Sequence, residues 1–277
     1  MNSYKNRIYV IKANGQRVPF DHHKVEATCI RAGASKKLAN FVSNKVYHQI
    51  RNGMSTRKIY KLVLRALTSD KHGKIVKHRY RLKESIMLMG PAGFQFENYT
   101  ARILQEYGYE IRSLRTEFDG KCVQHEVDIA GYSRDNNKRY MIECKYHNIS
   151  GIFTGLKESL YTHARFLDLN SHFDKEMLVC NTKVSKEVIT YATCIGQEVI
   201  SWRYPPDKSL EKMIEEKDLY PLTLLPLSER ELSAFSVNNL VLVKDLIMTD
   251  INHLSVKTGI STDRIRKLQN LISQIVK

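Results

Sequence analysis

The 277-residue sequence is poor in cysteine, proline and tryptophan, with five, six and one respectively. Cys29, Cys122, Cys144, Cys180 and Cys194 form no C-x-x-C pair and no zinc-ligand spacing, so neither a zinc ribbon nor a disulfide framework is available. Most sit in apolar contexts and read as buried thiols of a reducing compartment. No apolar run is long enough to cross a bilayer, and the charged, polar start has no secretory pattern, so a cytoplasmic chain is expected. A glycine-rich phosphate cradle is missing as well, and the histidines, His22-His23 included, lack a paired ligand motif. Acid is scarce where base is dense. Residues 1–92 carry 20 Lys plus Arg against 4 Asp plus Glu, residues 93–200 carry 13 against 15, and residues 201–277 carry 11 against 10. The net charge of +15 is therefore a property of the first third. A polyanion, whether nucleotide phosphates or a nucleic-acid backbone, is expected to meet that region.

The chemistry-bearing residues lie further on. The stretches EVDIAGY (residues 126–132) and YMIECKY (residues 140–146) read as two strands of a hairpin joined by the turn-rich run SRDNNKR. Strand periodicity puts Glu143 and Lys145 on one face with Met141, where Asp128 of the neighbouring strand can meet them. Two carboxylates with one ammonium suit a divalent cation and a hydrolytic water: the acids are hard oxygen ligands and the lysine orients or polarises the nucleophile. Asp119, His125 and Glu126 lie close in sequence and could add a ligand or a proton shuttle. Glu215-Glu216-Lys217 has the same three-residue pattern, but its charge-dense, helix-favouring surroundings mark it as a solvated helix face.

The pattern resembles the PD-(D/E)xK nuclease superfamily, with Asp128, Glu143 and Lys145 as its D, E and K and Val127 at the nominal proline. A helix ending at Gly108 precedes strands at residues 109–115 and at the two motif stretches. A helix at 155–169, a strand at 176–181, a helix at 185–195 and a strand at 198–202 follow. This α-β-β-β-α-β-α-β order is similar to the core of that superfamily, its Mrr-like restriction endonucleases above all. The resemblance implies a central mixed sheet flanked by helices. It also implies Mg²⁺ or Mn²⁺ held by Asp128, Glu143 and the Cys144 carbonyl, Lys145 positioning water, and Glu97 as an accessory helix carboxylate.

The basic first third has its own signature. IYVIKANGQRVPFDHHKV reads as a hairpin turning at Asn14-Gly15, with Asp21 capping a helix. That helix is read at about 22–32, and others at 35–51, 56–67 and 73–89. This resembles the ATP-cone domain, departing from it at Ala13 and Asn14. The resemblance implies that ATP or dATP is bound by Lys12, Val18, Phe20, Lys24, Thr56 and Lys83.

Four of the six prolines fall at Pro205, Pro206, Pro221 and Pro226, which marks a linker. Beyond it, LSVKTGISTDRIRKLQ looks like a helix-hairpin-helix unit in which Gly259 permits the turn and Arg264, Arg266 and Lys267 meet backbone phosphates of DNA. A helical packing or dimerisation domain is the competing reading. The expected chain is thus multidomain, α+β and α/β: an ATP-cone at residues 1–92, a nuclease core at 93–204, a linker at 205–226 and a small all-α domain at 227–277. Its expected activity is nucleotide-regulated DNA cleavage by a homo-oligomer, and the resemblance implies a role in restriction or defence. The alternatives are a nucleotide-sensing DNA-binding regulator with an inactive nuclease fold and a nucleotide-dependent assembly protein.

Overall fold

The computed structural model describes residues 8–69, 71–90, 96–149 and 151–276. The boundary expected at residues 92 and 93 lies outside the described residues. The chain divides into two compact units: one holds the residues up to Ser85 together with those from Gln269, the other runs from Ile86 to Leu268.

In the first unit, β1 (Tyr9–Ile11) and β2 (Arg17–Pro19) form the expected antiparallel hairpin. Gly15 takes φ +79° at the turn, and the Asn14 side chain accepts from the Gln16 N–H. The helices α1 (His22–Arg31) and α2 (Lys36–Tyr47) follow, capped by Asp21 and Ser35. A short strand that the sequence did not announce, β3 (Met54–Ser55), adds parallel to β1 and leads into α3 (Thr56–Leu67), capped by Ser55. The last expected helix is two, α4 (Lys71–Tyr80) and α5 (Leu82–Met87). They part at Arg81, whose N–H is shared between the carbonyls of Lys77 and His78. Val25, Cys29, Val42, Val46, Ile59 and Val63 are among the residues of one buried core.

The second unit is built on a five-stranded sheet. It opens with α6 (Phe96–Glu106), then β4 (Tyr109–Asp119), β5 (Gln124–Ser133) and β6 (Lys138–Lys145). After them come β7 (Phe153–Thr154), α7 (Leu156–Asp168), β8 (Lys175–Cys180), β9 (Lys183–Val184), α8 (Lys186–Ile195) and β10 (Glu198–Ile200). The sheet order is β10-β8-β6-β5-β4, with β4, β5 and β6 antiparallel and β6, β8 and β10 parallel. The β7 and β9 strands pair separately, and neither was read from the sequence. Both middle strands, β6 and β8, are mostly buried, as expected of strands covered on two faces.

The C-terminal segment corrects one expectation. Residues 205–226 are not a linker: they carry α9 (Leu210–Glu216) and a 3₁₀ turn (Leu222–Leu224), and Leu210, Met213, Ile214, Leu219, Tyr220 and Leu225 are buried. Prolines marked the turns of this segment, while its leucines packed it. Residues 227–277 are helical, as expected from the sequence. The helices are α10 (Glu229–Val237), α11 (Asp245–Met248), α12 (Ile251–Thr258) and α13 (Thr262–Ile275). The Arg102 guanidinium of α6 pairs with buried Asp245 at 2.7 Å, and Asp245 in turn accepts from the Val241 and Leu242 N–H groups. Tyr99 donates to the Leu219 carbonyl at 2.8 Å. The end of α13 belongs to the first unit, where Arg79 Nε donates to the Ile275 carbonyl at 2.8 Å.

Candidate functional site

The site is set by register. Ile129 lies opposite Ile142 and Ala130 opposite Met141, so continuing the antiparallel ladder brings Asp128 level with Glu143. Glu143 and Lys145 share the Met141 face, and across β8 their neighbours are Leu178 and Cys180. On the other side of β5 the ladder pairs Leu114 with Ile129 and Thr116 with Val127, skipping Arg115 and Asp128. Arg115 has φ +47°, an uncommon conformation for a residue with a side chain, and its guanidinium bonds Asn98 of α6 at 2.8 Å. The register is the same on both sides of this unpaired position, and it shifts only farther along, between Ile111 and Ser113.

The Asp128 side chain bonds to β6. Its Oδ2 accepts from the Cys144 N–H at 2.7 Å. Burial pushes the Asp128 carboxyl up to about 6, and the nearby negative charge of Glu143 adds to the effect, with Glu97 a smaller contributor. The Cys144 N–H and Lys145 pull the other way. Glu97, half-buried on α6, thus reaches the site by its charge. Glu143 is buried, 3% exposed, and both of its oxygens are engaged. Lys145 Nζ donates to Oε1 at 2.6 Å, and Arg165 Nη1 of α7 donates to Oε2. Burial disfavours the charge of Lys145, but the hydrogen bond and charge of Glu143 outweigh it and hold the ammonium above its ordinary range. Both cations lie over the exposed Tyr161 ring, Lys145 at 5.7 Å and Arg165 at 5.4 Å from its centre.

Asp128, Glu143, Lys145 and the Cys144 backbone therefore come together, with Glu97 nearby. Arg165 and Tyr161 were missed from the sequence. The available signal was an arginine on the inward stripe of α7, three residues beyond buried Thr162. Among the described residues, no group of three or more His, Cys, Asp or Glu side chains is gathered for a metal ion. A cation here would rest on two carboxylates and the Cys144 carbonyl, a sparse oxygen set of the kind that suits Mg²⁺, which keeps several waters. Half-buried Asp128, with no ion pair among the described residues, fits that role.

Other expected residues have different roles. His125 pairs with Asp168 at 2.8 Å, and Asp168 also accepts from the Cys122 and Val123 N–H groups, so these residues fasten the β4–β5 turn to α7. Asp119 accepts from Gln124, and Glu126 is exposed. Glu216 and Lys217 end α9 against Tyr107, with the Lys217 ammonium 4.4 Å from that ring's centre.

In the first unit, Lys12 is exposed and bonds Gln16 at 2.8 Å, while Lys24 is exposed near Asp21 at 3.8 Å. Val18 and Phe20 pack against the core, Thr56 is exposed at the first position of α3, and half-buried Lys83 has a partner within the chain. In the C-terminal segment, Gly259 takes φ +69° where α12 ends, as the turn requires. Arg264 is not open to phosphate. Its Nε donates to Glu231 at 2.5 Å and its Nη2 to the Pro226 carbonyl at 2.8 Å, because Glu231 closes a capping box with Ser228 beside it. Exposed Arg266 pairs with Asp263 at 3.1 Å, and Lys267 is exposed.

Comparison with known proteins places these units. Residues 8–85 match the ATP cone domain, and residues 220–276 match the model described as AF1548-like, C-terminal. An uncharacterised protein of Archaeoglobus fulgidus is 38% identical over 169 residues, which is 61% of this chain and 94% of that protein. The chain belongs to the AF1548-like family. A crystal structure of AF1548, described as a protein of unknown function, aligns with a TM-score of 0.57 at 35% identity, covering 65% of this chain and 96% of the other. The cone match makes the first unit a nucleotide-binding, nucleotide-sensing module, with ATP or dATP as its regulatory ligand. Among the described residues no helix is long and apolar enough to cross a membrane.

Proposed function

We propose that this protein is a metal-dependent DNA endonuclease of the PD-(D/E)xK superfamily, Mrr-like, regulated by ATP or dATP at its cone. The observation that carries the reading is the convergence of Asp128, Glu143 and Lys145 on one sheet face, where Asp128 accepts from the Cys144 N–H. Asp128, Glu143 and the Cys144 carbonyl would hold Mg²⁺ or Mn²⁺, which supplies Lewis-acid polarisation of a phosphate oxygen. Lys145 orients the attacking water. The water oxygen joins phosphorus, the bond from phosphorus to a sugar oxygen breaks, and that oxygen leaves with a proton. Arg165 balances the charge of buried Glu143 and keeps its carboxylate directed at the site, while Glu97 adds negative charge behind Asp128. A homo-oligomer would supply one such site to each DNA strand. Nucleotide controls cleavage only to the extent that the cleaving and restrained states of the protein differ in their affinity for it.

The test is cleavage of linear and supercoiled DNA with Mg²⁺ or Mn²⁺ by wild type and Lys145→Ala, each with and without ATP or dATP. Metal-dependent cutting that Lys145→Ala abolishes supports the assignment; cutting at the wild-type rate by a folded Lys145→Ala overturns it. Engagement of both Glu143 oxygens by cations favours a second reading, a nucleotide-sensing DNA-binding regulator with an inactive nuclease fold. Nucleotide-dependent DNA binding without cleavage of any substrate would select it.

A further inference from the structure

The first unit carries a groove that none of the residues assigned to nucleotide binding lines. It encloses about 350 Å³ between α3 and the α4–α5 segment. Arg57 and Lys61 line it from α3, and Lys77, Arg81 and Glu84 from the opposite wall, with Tyr60 between. The spacings 57 to 61 and 77 to 81 are one helical turn, so each pair of cations points the same way. Glu84 is the one acid among the lining residues, and it is already engaged: its Oε2 accepts from the Tyr60 hydroxyl and from Arg81 Nε, each at 2.9 Å. The side chains of Arg57, Lys61 and Lys77 make no hydrogen bond or ion pair with the described residues. Three uncompensated cations thus face one concave surface, which concentrates positive potential there.

The ligand class follows from what the groove can donate. Its free groups are ammonium and guanidinium donors, which bind phosphate oxygens. Its aromatic residue is not open to a base, because Tyr60 stacks on Tyr80 with centroids 5.6 Å apart and its hydroxyl is spent on Glu84. A surface that offers cations and no base-reading group suits a sugar–phosphate backbone better than a free nucleotide. We propose that this groove is a second anion site of the first unit, one that takes backbone phosphates of nucleic acid independently of the nucleotide bound by the cone. The proposal rests on DNA as partner, which belongs to the reading above, but not on cleavage.

The experiment compares full-length wild type with Lys61→Glu/Lys77→Glu. Fluorescence anisotropy measures affinity for a labelled DNA duplex across a salt series, and calorimetry measures ATP binding. The expected result is about a tenfold or greater loss of DNA affinity, with the slope of log affinity against log salt shallower by about 2, while ATP affinity is kept. Lys61→Gln/Lys77→Gln, which adds no repulsive charge, should show the same slope change and a smaller loss. It also serves if the glutamate pair does not fold. Unchanged DNA affinity in both variants overturns the site, as does a wild type that binds no duplex. Lost ATP affinity with DNA binding intact also overturns it, by making the groove part of the nucleotide site. Wild-type protein that binds DNA through the groove yet cuts nothing would refute the nuclease alone.

Discussion

Replacing Arg165 with methionine should unfold the second unit more easily, and replacing Glu143 at the same time should recover much of the loss. Arg165 and Glu143 are both buried, their side chains 9% and 4% exposed, and they bond directly. Removing one member of a buried ion pair leaves the other charge desolvated, a cost of about 3–5 kcal/mol. Lys145 remains on the other oxygen of Glu143, so the lower end, about 3 kcal/mol, applies to Arg165→Met. In Glu143→Leu/Arg165→Met no carboxylate is left to desolvate, and the double variant should lie closer to wild type than the sum of the singles by about 2 kcal/mol. Trp202 is the sole tryptophan, is buried and lies in the second unit, so urea unfolding followed by its fluorescence reads that unit without interference from the first. Strict additivity of the two single variants, or a cost below about 1 kcal/mol for Arg165→Met, would refute the reasoning.

The raised Asp128 carboxyl predicts a trade of stability for function. A carboxyl raised in the folded state contributes most below its unfolded value of about 3.9 and loses that contribution as pH rises through about 6. At pH 8 without metal, Asp128→Asn, which keeps an acceptor for the Cys144 N–H, should therefore be more stable than wild type by about 2 kcal/mol, measured by the same unfolding. Arg264→Ala should destabilise the segment around α10 and α13 by about 1–2 kcal/mol. Its hydrogen bond holds the Glu231 carboxyl down at about 2, so the difference from wild type should be full above about 4.3 and shrink as pH falls toward 2, read from urea midpoints. ATP at one hundred times its dissociation constant should stabilise the first unit by about 2.7 kcal/mol, seen as a higher thermal midpoint, and Lys12→Ala/Lys24→Ala should lessen that rise.

Local chemistry made much of this fold legible. Asp21 caps α1 where its side chain can bind a free N–H group, and the Asn14-Gly15 turn follows from the same short-range rules. The period-2 placement of Glu143 and Lys145 gave the face of the site, since side-chain alternation is fixed by the backbone. The engagement of Arg165 and the positive φ of Arg115 depend on tertiary packing and carry only a weak local signal. The proline-rich stretch misled for a related reason: Pro205, Pro206, Pro221 and Pro226 mark local turns, whereas burial of Leu210, Leu219 and Leu225 depends on distant partners. Arg264 read as a phosphate ligand because sequence shows its charge and not Glu231, thirty-three residues away, which neutralises it.

The central claim is tested most directly by nicking of supercoiled plasmid with Mg²⁺ or Mn²⁺, comparing wild type with Asp128→Asn, a substitution chosen because it should fold at least as well. The account predicts metal-dependent nicking by wild type and none by the stable variant. Equal nicking by the two proteins, or none by wild type with either metal and with or without ATP and dATP, would contradict it.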